Sequence, residues 1–258
     1  GVMIDNPFIN LKTDTIYNPK IFLSINGSNN NTNEISNELT TDNEIDLSRF
    51  FSVNRYTGND KFDNGQRIGY GLDISNKKFY FDIAQGYQIS ADSDYSRDVN
   101  MSDNFSDIVG AFGYSDILET TNDFSYKYRY NPYDQYIYYQ TAGISGDTIL
   151  GTHSIGYSNA DSRASSLFFD DRESVTFSFD SVGFFKYSSM SFTTAYDMIS
   201  DNPQTSTIKY TYADECIGIY TTYNKSYFEN TPDTLAIGMN FSFIGPVPQN
   251  FINDLILR

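Results

Sequence analysis

The sequence predicts an all-β fold, an antiparallel transmembrane β-barrel with about a dozen strands in this chain. Three observations predict it. First, segments of roughly ten residues alternate between apolar and polar side chains, the period that sends neighbours to opposite faces of a strand. Second, aromatic residues make up 17% of the chain, with Tyr 22, Phe 21 and Trp 0. Aromatic girdles at two membrane interfaces would use that many; an ordinary soluble domain rarely does. Third, the apolar faces are runs of aromatic and branched residues, whereas the polar faces are small residues with scattered charges. A water-filled lumen tolerates such a face. Alternation alone also fits a sheet that buries one side, so a secreted β-sandwich stays open at this point.

Residues 8–17 and 20–26 read as two strands broken at Asn18-Pro19, with Ile21, Leu23 and Ile25 on one face. Residues 27–43, rich in Asn, Ser and Thr, read as a long loop, and 47–65 as a structured polar loop. From Gln66 the alternation is strict. Gln66, Ile68, Tyr70, Leu72 and Ile74 take one face, and Arg67, Gly69, Gly71 and Asp73 the other. Residues 78–90 set Phe79, Phe81, Ile83, Tyr87 and Ile89 against Asp82, Ala84, Gly86, Gln88 and Ser90. Further on, Ile108, Phe112 and Tyr114 alternate with Val109, Ala111 and Gly113, and Phe124, Tyr126, Tyr128 and Tyr130 oppose Ser125, Lys127 and Arg129. Residues 136–145 and 149–157 follow less regularly, and Val175, Phe177 and Phe179 precede a strand bearing Met190, Phe192 and Tyr196. Ile208, Tyr210 and Tyr212 then oppose Thr207, Lys209 and Thr211. Last, Leu235, Ile237, Met239, Phe241 and Phe243 oppose Thr234, Ala236, Gly238, Asn240 and Ser242. No helix is predicted.

The formal net charge of −16 argues against nucleic acid, because a phosphate binder needs a basic face. Many acids fall in the turn-like stretches 92–103 and 170–173 and read as solvated loops; nothing there has the ligand spacing of a calcium loop. No apolar run approaches the roughly 18 residues of a membrane helix. The start, Gly1-Val2-Met3-Ile4-Asp5, lacks the basic and apolar regions of a signal peptide, so the chain is expected to be a mature protein or an internal fragment. The single histidine, His153, has Ile155 rather than a serine two residues on, and no hydrolase arrangement is expected around it. Neither a metal site nor a cofactor is expected, and the chain is not read as an enzyme. Cys216 is the only cysteine, so no disulfide can form within the chain; alternation places it on a strand with Gly218 and Tyr220.

The stretch 47–72, LSRFFSVNRYTGNDKFDNGQRIGYGL, resembles the central motif of the LptD (OstA/Imp) family of outer-membrane lipopolysaccharide-assembly proteins. The matching residues are Asn54, Arg55, Tyr56, Thr57, Gly58, Asp60, Gly65, Arg67, Tyr70, Gly71 and Leu72. Shorter pieces fall in the family's order: Asn37-Glu38, Gln85-Gly86-Tyr87, Ser106-Asp107-Ile108-Val109-Gly110 and Ala213-Asp214-Glu215-Cys216. The resemblance covers roughly 18–245 and implies that 1–258 is the C-terminal part of a larger barrel of the cell outer membrane, with 246–258 as a tail. It implies insertion of lipopolysaccharide into the outer leaflet through a lumen and a lateral gate. The implied partners are lipopolysaccharide, outer-membrane lipids, an LptE-like lipoprotein plug, and a periplasmic LptA-like bridge reached through an N-terminal domain beyond this chain. By the same resemblance Cys216 bonds to a cysteine of that domain, although many relatives carry two adjacent cysteines here. Asp73, Asp82, Lys127, Arg129 and Lys209, with Arg67, are candidate lumen-facing charges that pair across strands or touch the plug or the lipid's head groups. Phe243, followed by Pro246 and Pro248, is expected to border the lateral exit. The competing expectation is a porin-like diffusion channel, which shares the strand pattern but not the 47–72 loop.

Overall fold

The computed structural model describes residues 1–25, 47–54, 65–89, 103–117, 121–164, 170–181, 187–228 and 231–241. Fourteen strands form one antiparallel sheet whose order follows the chain. They are β1 (Val2–Asp5), β2 (Phe8–Asn10), β3 (Thr15–Ile25), β4 (Gln66–Ser75), β5 (Phe79–Gln88), β6 (Ile108–Tyr114) and β7 (Asp123–Asn131). Next come β8 (Tyr136–Thr148), β9 (Gly151–Ala160), β10 (Arg172–Ser181), β11 (Ser188–Asp197), β12 (Asn202–Ala213), β13 (Ile217–Ser226) and β14 (Thr234–Phe241). A single helical turn, α1 (Leu47–Phe50), lies between β3 and β4. No helix among the described residues is long and apolar enough to cross a membrane, which says nothing of spanning by strands.

The predicted break at Asn18-Pro19 is not where the chain turns. β3 runs straight through both residues, and the turn falls at 11–14, where Asp14 takes a positive φ of 48°. Proline is admitted inside β3 because its neighbour is interrupted at the same level. β1 and β2 pair with β3 in one continuous register, separated only by Asn6-Pro7, and the Asn6 N–H reaches the Pro19 carbonyl at 3.4 Å. The missing Pro19 donor therefore faces a gap in the ladder rather than a starved acceptor.

The chain divides into two compact units. The first comprises 1–117, 124–142 and 158–172, and the second 118–123, 143–157 and 173–258. In the first unit, the alternation sorts side chains as predicted. Ile21, Leu23, Ile25, Tyr70, Phe112 and Tyr114 are exposed on one face, while Phe22, Ser24, Arg67, Ala84, Gln88, Val109 and Ala111 are buried on the other. The exposed face is apolar and the covered face is mixed, the reverse of a water-soluble sheet. In the second unit, Ile208 and Tyr210 of β12 and Leu235, Ile237, Met239 and Phe241 of β14 are exposed as well, but so are Lys209, Ala236 and Asn240 on the other face, which is not covered there as it is in the first unit.

Two cross-strand pairs account for part of the tyrosine content. Tyr128 lies opposite Gly110, and Tyr220 opposite Gly238. Each ring lies so close over its glycine that any side chain there would overlap it. The ring covers backbone that glycine leaves bare.

Candidate functional site

The covered face of the first unit is where the 47–72 motif acts. The chain leaves β3, returns at 47–54 and lies against β4, β5 and β6. One helical turn forms over Leu47–Phe50 and stops at Ser52, whose N–H bonds the Arg49 carbonyl at 3.0 Å. The Ser52 hydroxyl sits 2.6 Å from the carbonyls of both Arg49 and Asn54, which closes the turn.

Phe50, 1% exposed, packs with Ala84 and Val109, and Leu47 and Phe51 complete the cluster. The two rings meet edge to face at 5.3 Å. They fit because the sheet beneath them is nearly bare. A methyl on Gly69 would meet Phe50 at 3.5 Å, one on Gly86 would meet it at 3.3 Å, and one on Gly71 would lie 2.8 Å from the Phe51 ring. Sequence reasoning assigned these small residues to a water-filled lumen. At this place they seat two phenylalanines.

Charged motif residues hold the segment down. Arg67, 4% exposed, donates to the Ser52 carbonyl at 2.5 Å and stacks its guanidinium 5.3 Å from the Phe22 ring. Lys20 pairs with Asp73 and lies 5.5 Å from the centre of the Phe51 ring. Asp73 faces Asp82 in register, Asp82 faces Ala111, and Ala111 faces Lys127. Lys20 thus offsets two opposed carboxylates, while Lys127 is exposed at the end of the row. Gly65 enters β4 with φ 85°. Tyr70, on the opposite face, donates its hydroxyl to Gln85 at 2.6 Å. Asn54 ends the segment; Arg55, Gly58 and Asp60 lie outside the described residues.

A second lock adjoins the first. Asp107 and Arg129 form an ion pair with side chains 0% and 4% exposed. Arg129 Nη1 also donates to the Ala164 carbonyl at 2.8 Å, so the pair ties the start of β6 to the turn after β9. Ser106 Oγ accepts the Gly86 N–H at 2.8 Å, and Gln85 donates to the Ser106 carbonyl at 3.2 Å. The Ser-Asp step of the sequence is therefore a strand-start clamp. Arg129 reads as a paired wall residue. The turn is braced by Arg163, which holds Asp161 through bonds of 2.7 and 2.8 Å and stacks on Tyr136 and Tyr138 at 4.9 and 5.0 Å. Hydrogen bonding from the Arg163 side chain keeps the Asp161 carboxyl below its usual range, against the opposing effect of burial.

In the second unit, Lys209 sits in a register row with Asp180, Ser191 and Thr222, beside a polar notch. The strand placement of Cys216 needs correction. Cys216 is exposed in the turn between β12 and β13, one residue before β13 begins. Asp214 builds that turn by accepting the N–H groups of Cys216 and Ile217 at 2.8 and 2.7 Å, which lowers its own pKa. His153 lies within β9, and no group of metal-binding side chains occurs among the described residues. Phe243, Pro246 and Pro248, with the tail 246–258, lie outside the described residues.

What sequence reasoning missed is the returning segment. Its signal was there: two adjacent phenylalanines in a polar loop, beside strands that place Gly69, Gly71, Ala84 and Gly86 on one face.

A family model described as LPS transport system D matches residues 15–185. No curated protein matches the chain. Among solved structures, three mutants of the porin from Rhodopseudomonas blastica align over 93% of this chain and 88% of theirs. Identity is 10%, 10% and 11%, and the TM-scores are 0.42, 0.42 and 0.41. At that level the likeness decides nothing about function.

Proposed function

The chain belongs to the LPS transport system D family, LptD, an outer-membrane β-barrel family of lipopolysaccharide transport and assembly, and on that premise we propose that residues 1–258 are the C-terminal part of a barrel that inserts lipopolysaccharide into the outer leaflet. Sugars pass along the lumen and acyl chains leave through a lateral opening, without covalent chemistry. The observation that supports this reading is the seating of 47–54. The family motif supplies both Gly71, on whose bare backbone Phe51 rests, and the Arg67 that pins the returning segment to that face. A passive diffusion channel has no need of a motif devoted to that contact.

The remaining roles follow from this reading. Asp73, Asp82, Lys127 and Lys209 line the polar path, and an LptE-like lipoprotein occupies the lumen beside 47–54. An LptA-like bridge delivers lipid through a periplasmic domain beyond this chain, and Cys216 is tethered to that domain. The segment near Phe243 borders the lateral exit. Depleting the full-length protein in its own cell, while following newly made lipopolysaccharide, tests the proposal. Lipid stalled on the periplasmic side while other barrels still insert is the expected result. Unchanged surface lipid with reduced small-solute uptake would establish the diffusion channel instead.

A further inference from the structure

We infer that the apolar face of the first unit carries a seat for one fatty-acyl chain of an outer-leaflet lipid. The inference rests on the family's outer-membrane location and not on passage of lipopolysaccharide through the wall. On the face opposite the 47–54 segment, a groove of about 370 Å³ crosses β3 to β6. Its walls are Pro19, Ile21, Leu72, Ile83 and Ile108, with Tyr70 and Gln85 at one side. The register explains the shape. Leu72 lies between Pro19 and Ile83, and Tyr70 lies between Ile21 and Gln85, so two cross-strand rows border one furrow. The flat, short proline lowers the rim on β3.

The lining selects an apolar occupant. Its polar side chains are already committed to protein, with Tyr70 bonded to Gln85 and the Gln85 amide bonded to the Ser106 carbonyl. No headgroup is recognised inside the groove, whereas a hydrocarbon chain gains close contact on several sides. The groove is continuous with the exposed apolar surface of Ile21, Leu23 and Tyr70, which in an outer-membrane wall is covered by lipid. The Tyr70–Gln85 pair lies toward the strand ends that carry the long connections 26–65 and 89–107, the extracellular side of such a wall, and a tyrosine hydroxyl suits that interface. The occupant therefore comes from the outer leaflet.

The test reconstitutes the full-length protein in phosphatidylcholine vesicles doped with a phosphatidylcholine whose acyl chain carries a diazirine. After illumination, label is expected on Leu72, Ile83 and Ile108 several-fold above Ile237 and Met239, which are exposed on β14. Ile83→Trp, which fills the groove, is expected to bring that label down to the β14 level. Ile108→Trp serves the same purpose from β6 if the first variant lacks the heat-modifiable mobility of a folded barrel. Label spread evenly over outward residues in the unmodified chain would overturn the seat, as would undiminished label in a folded groove-filled variant. Lipid label absent from Ile83, together with oxidative dimers of Ile83→Cys in a Cys216→Ser background, would also overturn it, in favour of a second copy. Surface delivery of lipopolysaccharide in cells carrying Ile83→Trp is read separately. Normal delivery with the groove filled by Trp leaves the translocon reading standing.

Discussion

Gly71 and Gly69 share a strand and a face, yet they differ in what a methyl would meet. At Gly71 it lies 2.7 Å from the Ile83 carbonyl oxygen and 2.8 Å from the Phe51 ring; at Gly69 nothing is nearer than 3.5 Å. Gly71→Ala should lower stability by about 1–3 kcal/mol, as overpacking does. Gly69→Ala should be neutral or raise stability by up to about 1 kcal/mol through the unfolded chain. Urea midpoints of protein refolded into vesicles measure both, and equal effects would contradict the packing described. Asp107 makes a harsher test. Asp107→Ala leaves the Arg129 charge buried and should lower stability by about 3–5 kcal/mol. Replacing the pair together, by Asp107→Leu with Arg129→Met, should recover most of that loss. If the double variant is no better than the single one, the ion pair is not the source.

At the scale of elements, the returning segment and the turn at 161–164 are the parts built by side chains rather than by the ladder. Phe50→Ala removes the ring seated over Gly69, Ala84 and Gly86, which weakens the segment's seat by up to about 3–5 kcal/mol. The segment then detaches before the sheet unfolds, so the readout is new protease cleavage within 47–54 at an almost unchanged urea midpoint. The turn responds to pH. Arg163 holds the folded Asp161 pKa below its unfolded value, so the contribution is complete above about pH 4 and is lost as pH falls through the lowered value. Exchange of the Arg163 amide, which donates to Asp161 Oδ1 at 2.9 Å, should therefore accelerate on acidification beyond its intrinsic pH dependence. In Asp161→Asn that extra acceleration should vanish. How legible these elements were depends on how local their causes are. The faces of β4, β5, β6, β7 and β14 could be read directly, since a period of two needs only neighbours in sequence. β3 is not legible from its own residues, because Pro19 is a breaker by local rules and only its pairing beside the Asn6-Pro7 gap makes it tolerable. The helical turn and its seat were illegible for the same reason, since Phe50 touches Ala84 and Val109 across long stretches of chain. The residues after Cys216 alternate as a strand does, whereas Asp214 bends the chain at Cys216 through its own side chain.

At the scale of the whole molecule, the strand order makes a claim about which end of the wall faces which compartment. Successive antiparallel strands put their connections at alternate ends. One set of ends carries 26–65, 89–107, 132–135, 161–171, 198–201 and 227–233; the other carries 76–78, 115–122, 149–150, 182–187 and 214–216. Outer-membrane barrels keep their longer loops outside the cell and their short turns in the periplasm. On the proposed function, the long connections 26–65 and 89–107 put the first set at the cell surface. Cys216 belongs to the second set, on the side where a periplasmic domain could reach it. In intact cells making the full-length protein, a membrane-impermeant maleimide should leave Cys216 unlabelled, and after permeabilisation it should still fail until a reductant is added. The protein should change gel mobility on reduction, and Cys216→Ser should abolish that change. Labelling of Cys216 from outside intact cells would reverse the assignment of the two ends, and with it the surface placement of the loop that carries the family motif.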